Sequence, residues 1–340
     1  SYTQLPTMDL LRERVVKMAD LLQQIRSVPE MTESFSGPVM FTGDAVGEIV
    51  AQSFIESNNG LLAGRKPITP NSDFLRWYES YIPQENATEA LLGKKVISRD
   101  LSVTALDGKT AYNGTPLIGS YKVDAEGVRV PTELPLISDG ILVNILSDRI
   151  PTNHSKFSNG HKRLALSYGK LTTSLCSGVI ELSGKNKMSY SKMKKKLISM
   201  AKEEDYDYAY IIPKLVSQSA AMPAVGNYLT KNNYYYPLYV IRVSVKDGSE
   251  TLMRMAKVSA LNMKSFKHVE AISNQQQVYN TLLKGKQKNK IMAGPNFNLS
   301  GVPCSFIVPT AILFPELDVE KNPNIILKKQ PEVPNPLLEK

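Results

Sequence analysis

The sequence predicts an α+β fold in which antiparallel β structure predominates and a few amphipathic helices flank it. Three observations point there. Residues 94–150 break into short apolar runs separated by the turn pairs Asp107-Gly108, Asn113-Gly114, Glu126-Gly127 and Asp139-Gly140, the texture of strands joined by tight turns. Residues 7–27 and 190–202 place their apolar side chains at helical spacings. The composition, 42% hydrophobic and 21% charged with 20 Gly and 21 Pro in 340 residues, excludes wholesale disorder, collagen and coiled coil. It suffices for one large α+β unit or two closely packed domains without a metal staple.

In chain order, Met8, Leu11, Val15, Met18, Leu22 and Ile25 follow Thr7, a natural N-cap, and predict a helix over 7–27 that packs on the core. A short strand at 38–42 feeds a turn and a helix over 43–52, with Ala45, Ile49 and Gln52 near one face and Asp44 and Glu48 four residues apart on another. Residues 60–92 are polar and hold Pro67, Pro70, Pro83 and the single tryptophan, Trp77, which reads as an irregular excursion, either a lid or an insertion. After the strand-rich segment, Met193, Leu197, Met200 and Ala201 share a helical face, leaving Lys192, Lys194, Lys195, Lys196 and Lys202 as its solvated side. A hairpin pairs 239–245 with 251–258, a helix follows over 263–272, and 284–290 form a basic link. Residues 305–313 return as one buried strand, and the Pro-rich tail after Lys321 is extended. The expected organisation is an N-terminal part over 1–93, a β-rich core over 94–320 and a tail over 321–340, or one continuous domain.

A net charge of +9 makes acidic partners reasonable, but it is spread over the whole chain and nucleic acid is not expected as the main ligand. Cys176 and Cys304 lie too far apart for a CxxC motif and exclude a disulfide framework, while leaving a single bridge open. The longest uncharged stretch, 291–315, holds Pro295, Pro303, Pro309 and Pro315, so no membrane span is expected.

One ordered set of segments resembles the C-terminal half of the TldD/PmbA family, whose older label is modulator of DNA gyrase and whose better-understood members are metallopeptidases. The segments are DAEG at 124–127, PLISDGIL at 135–142, LSDR at 146–149 and SNGHKR at 158–163. They are similar to the family's DxEG, LIxxGxL, LxDR and S/T-G-x-x-R progression. The resemblance runs from the first helix to SALNM at 259–263 and implies an α+β fold with extended antiparallel sheets and flanking helices, often a dimer around a central cavity. The family's N-terminal α/β domain is not matched.

Metallopeptidases of this family place HExxxH on the helix after the strand at 38–42, with two zinc-binding histidines, a general-base Glu and a distant Cys. The matching window here is GDAVGE at 43–48. Gly43 offers no ligand atom and Glu48 offers oxygen where the second imidazole would stand, so no zinc is expected, although zinc serves active family members. Asp44 occupies the general-base position, one methylene shorter. The open alternatives for Asp44 and Glu48 are a solvated acidic pair or part of an oxygen-rich site for a harder cation. His154, His161 and His268 lack ligand spacing and read as ordinary surface or hydrogen-bonded side chains. Cys304, in GVPCS, lacks a CGKxGQ-like surround and reads as a small buried residue. GxSxG, SxxK and P-loop motifs do not stand out.

Tyr206, Tyr208 and Tyr210 alternate on one strand face, and Tyr228, Tyr234, Tyr235, Tyr236 and Tyr239 form a second group. Tyr234, Tyr235 and Tyr236 are candidates for a peptide groove or subunit contact, against ordinary β packing. The resulting expectation is a family member with an altered or lost zinc site that binds peptide or serves as a partner subunit in peptide processing, as a homodimer or beside a related subunit. The alternative is an active metallopeptidase with a non-standard metal site. The resemblance implies the bacterial cytoplasm, or the periplasm if a signal peptide preceded Ser1.

Overall fold

A computed structural model of the chain describes residues 7–56, 88–151, 154–167, 170–216, 234–283 and 301–322. Residues 60–87 of the expected excursion over 60–92, with Trp77, Tyr228, the basic link and the tail beyond Asn322, lie outside the described residues, while Thr88–Leu91 at its end form a 3-10 turn.

The chain opens with α1 (Met8–Ser27), whose first turn is closed by the Leu10 N–H donating to Thr7 Oγ1 at 3.3 Å. Its expected role as a core helix is not met, since α1 buries none of its residues. Next come β1 (Phe35–Thr42), α2 (Asp44–Ala51) and a π-turn at Gln52–Glu56. Short strands follow as β2 (Leu101–Ala105), β3 (Ala111–Tyr112), β4 (Thr115–Pro116), β5 (Leu134–Ser138) and β6 (Ile141–Leu142). Then come β7 (Lys162–Ser167), β8 (Lys170–Leu175), β9 (Val179–Gly184), β10 (Lys187–Met188) and α3 (Tyr190–Glu203). The last strands are β11 (Tyr208–Leu215), β12 (Tyr234–Tyr235), β13 (Pro237–Ser244), β14 (Glu250–Met253), β15 (Ala256–Ser259), β16 (Ala271–Ser273), β17 (Gln276–Leu283), β18 (Val302–Pro309) and β19 (Ala311–Lys321).

Two of the turn pairs act as their chemistry dictates. Asn113-Gly114 and Asp139-Gly140 have positive φ at both residues, 47° and 77° in the first, 48° and 78° in the second, and join β3 to β4 and β5 to β6 through two-residue loops. Among the described residues the strands build two large sheets. One runs β10-β16-β19-β1-β11-β13-β14 with β12 and β15 attached, the other β17-β18-β9-β2-β5-β6. The sheets are mixed: antiparallel pairs predominate, but β1 pairs β11, β18 pairs β9 and β10 pairs β16 in parallel.

Strand β1 shows how the layers form. Val39 and Phe41 point into the main core, where residues of both sheets and α2 meet, while Met40 points to the opposite face beneath Met193, Leu197 and Ala201 of α3. The lysine side of α3 is solvated in part, with Lys194 bonded to Glu250 at 2.6 Å and Lys196 paired with Glu270.

Three expectations are corrected by the sheets. The hairpin's second strand breaks at Met255 (φ 65°), after which β15 leaves β13 and pairs with β19. The expected helix over 263–272 is a 3-10 segment, Met263–His268, capped by Asn262, because Ala271 and Ile272 are drawn into pairing with β19. The expected single strand over 305–313 is two strands in different sheets, divided at Thr310.

Candidate functional site

The division at Thr310 meets the start of α2. The Gly43 N–H donates to the Thr310 carbonyl at 3.0 Å, and the Gly43 carbonyl accepts from Gln277 Nε2 at 2.5 Å. Gly43 has φ 55° and ψ −138°, a conformation that glycine adopts without a Cβ clash, and so turns β1 directly into α2. Ala45, Val46, Ile49, Val50 and Ala51 are all buried, which places α2 inside the main core rather than along a surface.

Asp44 and Glu48 therefore do not form a solvated pair. Asp44 faces solvent with Lys214 Nζ at 3.2 Å, while Glu48 is 4% exposed. A buried carboxylate must be hydrogen-bonded to be tolerated. Gln52 Nε2 donates to its Oε1 at 2.5 Å, and the Tyr279 hydroxyl donates to its Oε2. Tyr279 reaches this position because residue 47 is glycine: a Cβ there would lie 2.2 Å from Tyr279 Cγ. The ring of β17 thus lies directly on the backbone of α2.

These residues do not fit a zinc site of the HExxxH kind. Gly43 has no ligand atom, both Glu48 oxygens already accept hydrogen bonds, and Asp44 is paired with a lysine. Among the described residues no group of three or more His, Cys, Asp or Glu side chains converges as a metal cage.

A second polar cluster, missed in the sequence, lies where β9 begins. Asp107 Oδ1 accepts from Ser177 Oγ at 2.8 Å, Gly178 N–H at 2.5 Å and Val179 N–H at 2.8 Å, and its Oδ2 meets His161 Nε2 at 2.8 Å. The other ring nitrogen of His161 lies 2.8 Å from Asn159 Oδ1. Asn159 is oriented by accepting from the Ser147 N–H and donating to the Ile145 carbonyl, so both nitrogens of His161 face acceptors. Burial opposes ionisation of Asp107, yet the hydrogen bond and charge of His161, with the Val179 N–H and Ser177 hydroxyl, hold its carboxyl below the usual range. The signals were present but local: Asp107-Gly108 reads as a turn and His161 as an isolated histidine, 54 residues apart.

Three of the segments that carried the family resemblance, at 124–127, 146–149 and 158–163, interlock beside this cluster. Asp124 Oδ1 accepts from the Glu126 and Val128 N–H groups and its Oδ2 from the Lys162 N–H. Glu126 accepts from the Arg149 N–H, and Lys162 Nζ bonds Asp148 at 2.9 Å. Arg163 lies 4.0 Å over the Tyr121 ring and donates to the Gly119 and Pro303 carbonyls. Burial and the Asp107 charge push the Tyr121 phenol up, which keeps it a neutral donor to the Gly160 carbonyl. In this arrangement the carboxylates of Asp124, Glu126 and Asp148 and the cations of Lys162 and Arg163 pin the turns.

Of the tyrosines, Tyr206 and Tyr210 both pack on Phe35 with ring centroids at 4.9 Å, and Tyr208 lies under Arg242. Tyr235 and Tyr236 are buried, and Tyr235 donates to the Leu261 carbonyl at 3.1 Å and meets Ser53 Oγ at 3.4 Å. Tyr234 is half-buried beneath Lys257. His154 is exposed, and His268 closes the 3-10 segment.

The profile of the PmbA/TldA metallopeptidase C-terminal domain matches residues 34–321. No curated protein sequence matches significantly. Among solved structures, a protein from Thermotoga maritima described as a putative modulator of a DNA gyrase is 14% identical, with TM-score 0.51, over 86% of this chain and 51% of its own. TldE from Thermococcus kodakarensis is 11% identical, with TM-score 0.50, over 85% of this chain and 51% of its own. At these identities the likeness concerns the fold, and the chain spans about half the length of each structure.

Proposed function

The chain belongs to the PmbA/TldA metallopeptidase C-terminal domain family, and on that premise we propose that it is a peptide-handling or partner member whose zinc position has been rebuilt as a structural contact. The observation that carries this reading is Glu48, which stands at the second histidine position implied by the family pattern and is engaged by Tyr279 and Gln52. Asp44, at the general-base position, lies at the exposed mouth of the same helix with its charge offset by Lys214. It is the exposed carboxylate of this window, and a peptide amine would reach it in competition with Lys214. Tyr234 is half-buried under Lys257 beside the buried Tyr235 and Tyr236, which leaves it the member of this trio that a partner seated on the β-rich half could reach. That partner is a peptide, a second copy or a related metal-bearing subunit.

Elemental analysis of the purified full chain, followed by peptide-cleavage assays with and without a chelator, tests the proposal. The expected result is less than a tenth of a zinc per chain on the order of trace carry-over, and no chelator-sensitive cleavage. Near-stoichiometric metal with Asp44 or Glu48 in its coordination shell, together with chelator-sensitive cleavage, would establish the active metallopeptidase with a non-standard site instead.

A further inference from the structure

The two cysteines, 128 residues apart in sequence, are brought into contact beside the Asp107 cluster, with their sulfurs 3.5 Å apart. Cys176 directly follows β8, two residues short of β9, and Cys304 lies within β18; both are buried. Their positions are set from two sides. The Cys176 N–H donates to the His161 carbonyl at 2.9 Å, and the following residues, Ser177, Gly178 and Val179, are held by their three hydrogen bonds to Asp107 Oδ1. On the other side the Ser305 N–H donates to the Gly178 carbonyl at 2.7 Å, and Arg163 holds the Pro303 carbonyl. Both thiols turn to one acceptor, the Ser177 carbonyl, each at 3.2 Å. Closing to a disulfide needs the sulfurs to approach by about 1.5 Å, given a bond of about 2.05 Å.

We propose that Cys176 and Cys304 form an intramolecular disulfide by exchange with a small-molecule disulfide of the oxidised-glutathione class, tying β18 to the lead-in of β9. In the first step one cysteine thiolate attacks the small disulfide, forming a mixed disulfide and releasing one thiolate. In the second the neighbouring cysteine attacks the protein sulfur of that mixed disulfide and releases the other. The two cysteines lose two electrons and two protons, and one small disulfide becomes two thiols. Burial, with the neighbouring Cys176, pushes the Cys304 thiol up, so exchange in the closed fold is slow and proceeds through local opening of the β9–β18 seam.

The test uses the full chain, purified under reducing conditions and incubated with excess oxidised glutathione at a series of urea concentrations below the unfolding midpoint. Samples are quenched in acid, denatured, alkylated and read by intact mass and peptide mapping. The expected product is a chain lighter by two hydrogens that takes up no alkylating agent and yields a Cys176–Cys304 linked peptide, formed faster as urea rises. The C304S variant is expected to stop at a glutathione adduct on Cys176. A wild-type chain that retains two alkylatable thiols at every urea concentration, accumulates stable glutathione adducts, or cross-links only between molecules would overturn the proposal.

Discussion

The hydroxyl of Tyr279 in β17 donates to the buried carboxylate of Glu48 in α2, a contact between residues 231 positions apart that ties the six-stranded sheet to the helix. The helix lies between the two sheets, so a polar bond at this point orients both layers about it. Tyr279→Phe keeps the ring and deletes the donor. Removing one donor from a buried charged group is expected to lower stability by about 1–3 kcal/mol. Urea unfolding of the variant checks this, and a midpoint equal to wild type would show that other groups already suffice for Glu48.

The same ring makes Gly47 a position where even one methyl group is too many. A Cβ there meets Tyr279 Cγ at 2.2 Å and Cβ at 2.3 Å, atoms near the base of the side chain that cannot swing aside cheaply. Gly47→Ala is expected to destabilise by about 1–3 kcal/mol through overpacking, despite the better helix propensity of alanine. In the double variant with Tyr279→Ala the two effects should sum to less than their separate losses, because the clash is gone. Strict additivity in thermal or urea unfolding would mean that residue 47 does not pack on this ring.

The strand, turn and helix around Gly43 were legible because their signals are local: an apolar run, a glycine, then helical spacing. The fate of Glu48 was not. Its position four residues from Asp44 suggests a shared acidic face, and nothing nearby in sequence reveals Tyr279 or the second sheet that buries it. Asp107 and His161 escaped for the same reason, as each looks ordinary beside its immediate neighbours. The split at Thr310 had only Pro309-Thr310 to mark it, and the apolar runs on either side read alike whether one sheet or two bury them. The first helix erred in the opposite direction: its apolar spacing is genuine, but spacing states only that a stripe exists and not that this chain covers it.

Asp107 provides a pH-dependent test. Its folded carboxyl is held below the ordinary value of 3.8, so an unfolded chain takes up that proton first as the medium is acidified. Between the two values the unfolded state binds more protons and stability rises with pH. The contribution is complete above about pH 4–5 and is lost as pH falls through the folded value. Asp107→Asn, which retains an acceptor but no charge for His161, is expected to lose about 2–4 kcal/mol at pH 7. The gap from wild type should narrow towards pH 3. Urea midpoints measured across this range decide the matter, and a gap independent of pH would remove the charge from the explanation.

The exposed stripe on α1 leads to a prediction that combines stability with association. Met8, Val15, Met18 and Leu22 are each more than half exposed, and none of the helix's residues is buried. Replacing Val15, Met18 and Leu22 together by Glu, Lys and Glu should therefore change the unfolding midpoint little, within about 0.5 kcal/mol per site, because surface changes without buried partners rarely do more. A core helix would lose several times that amount and lower the midpoint plainly. The proposed pairing through the β-rich half makes a second demand on the same variant: its association, followed by light scattering well above micromolar concentration, should match wild type. A variant that keeps its midpoint but becomes strictly monomeric would place the contact on α1, where a spacing of three and four over about three heptads resembles a helix-pairing seam. It would then leave Tyr234 and its neighbours as coverings of their own sheet.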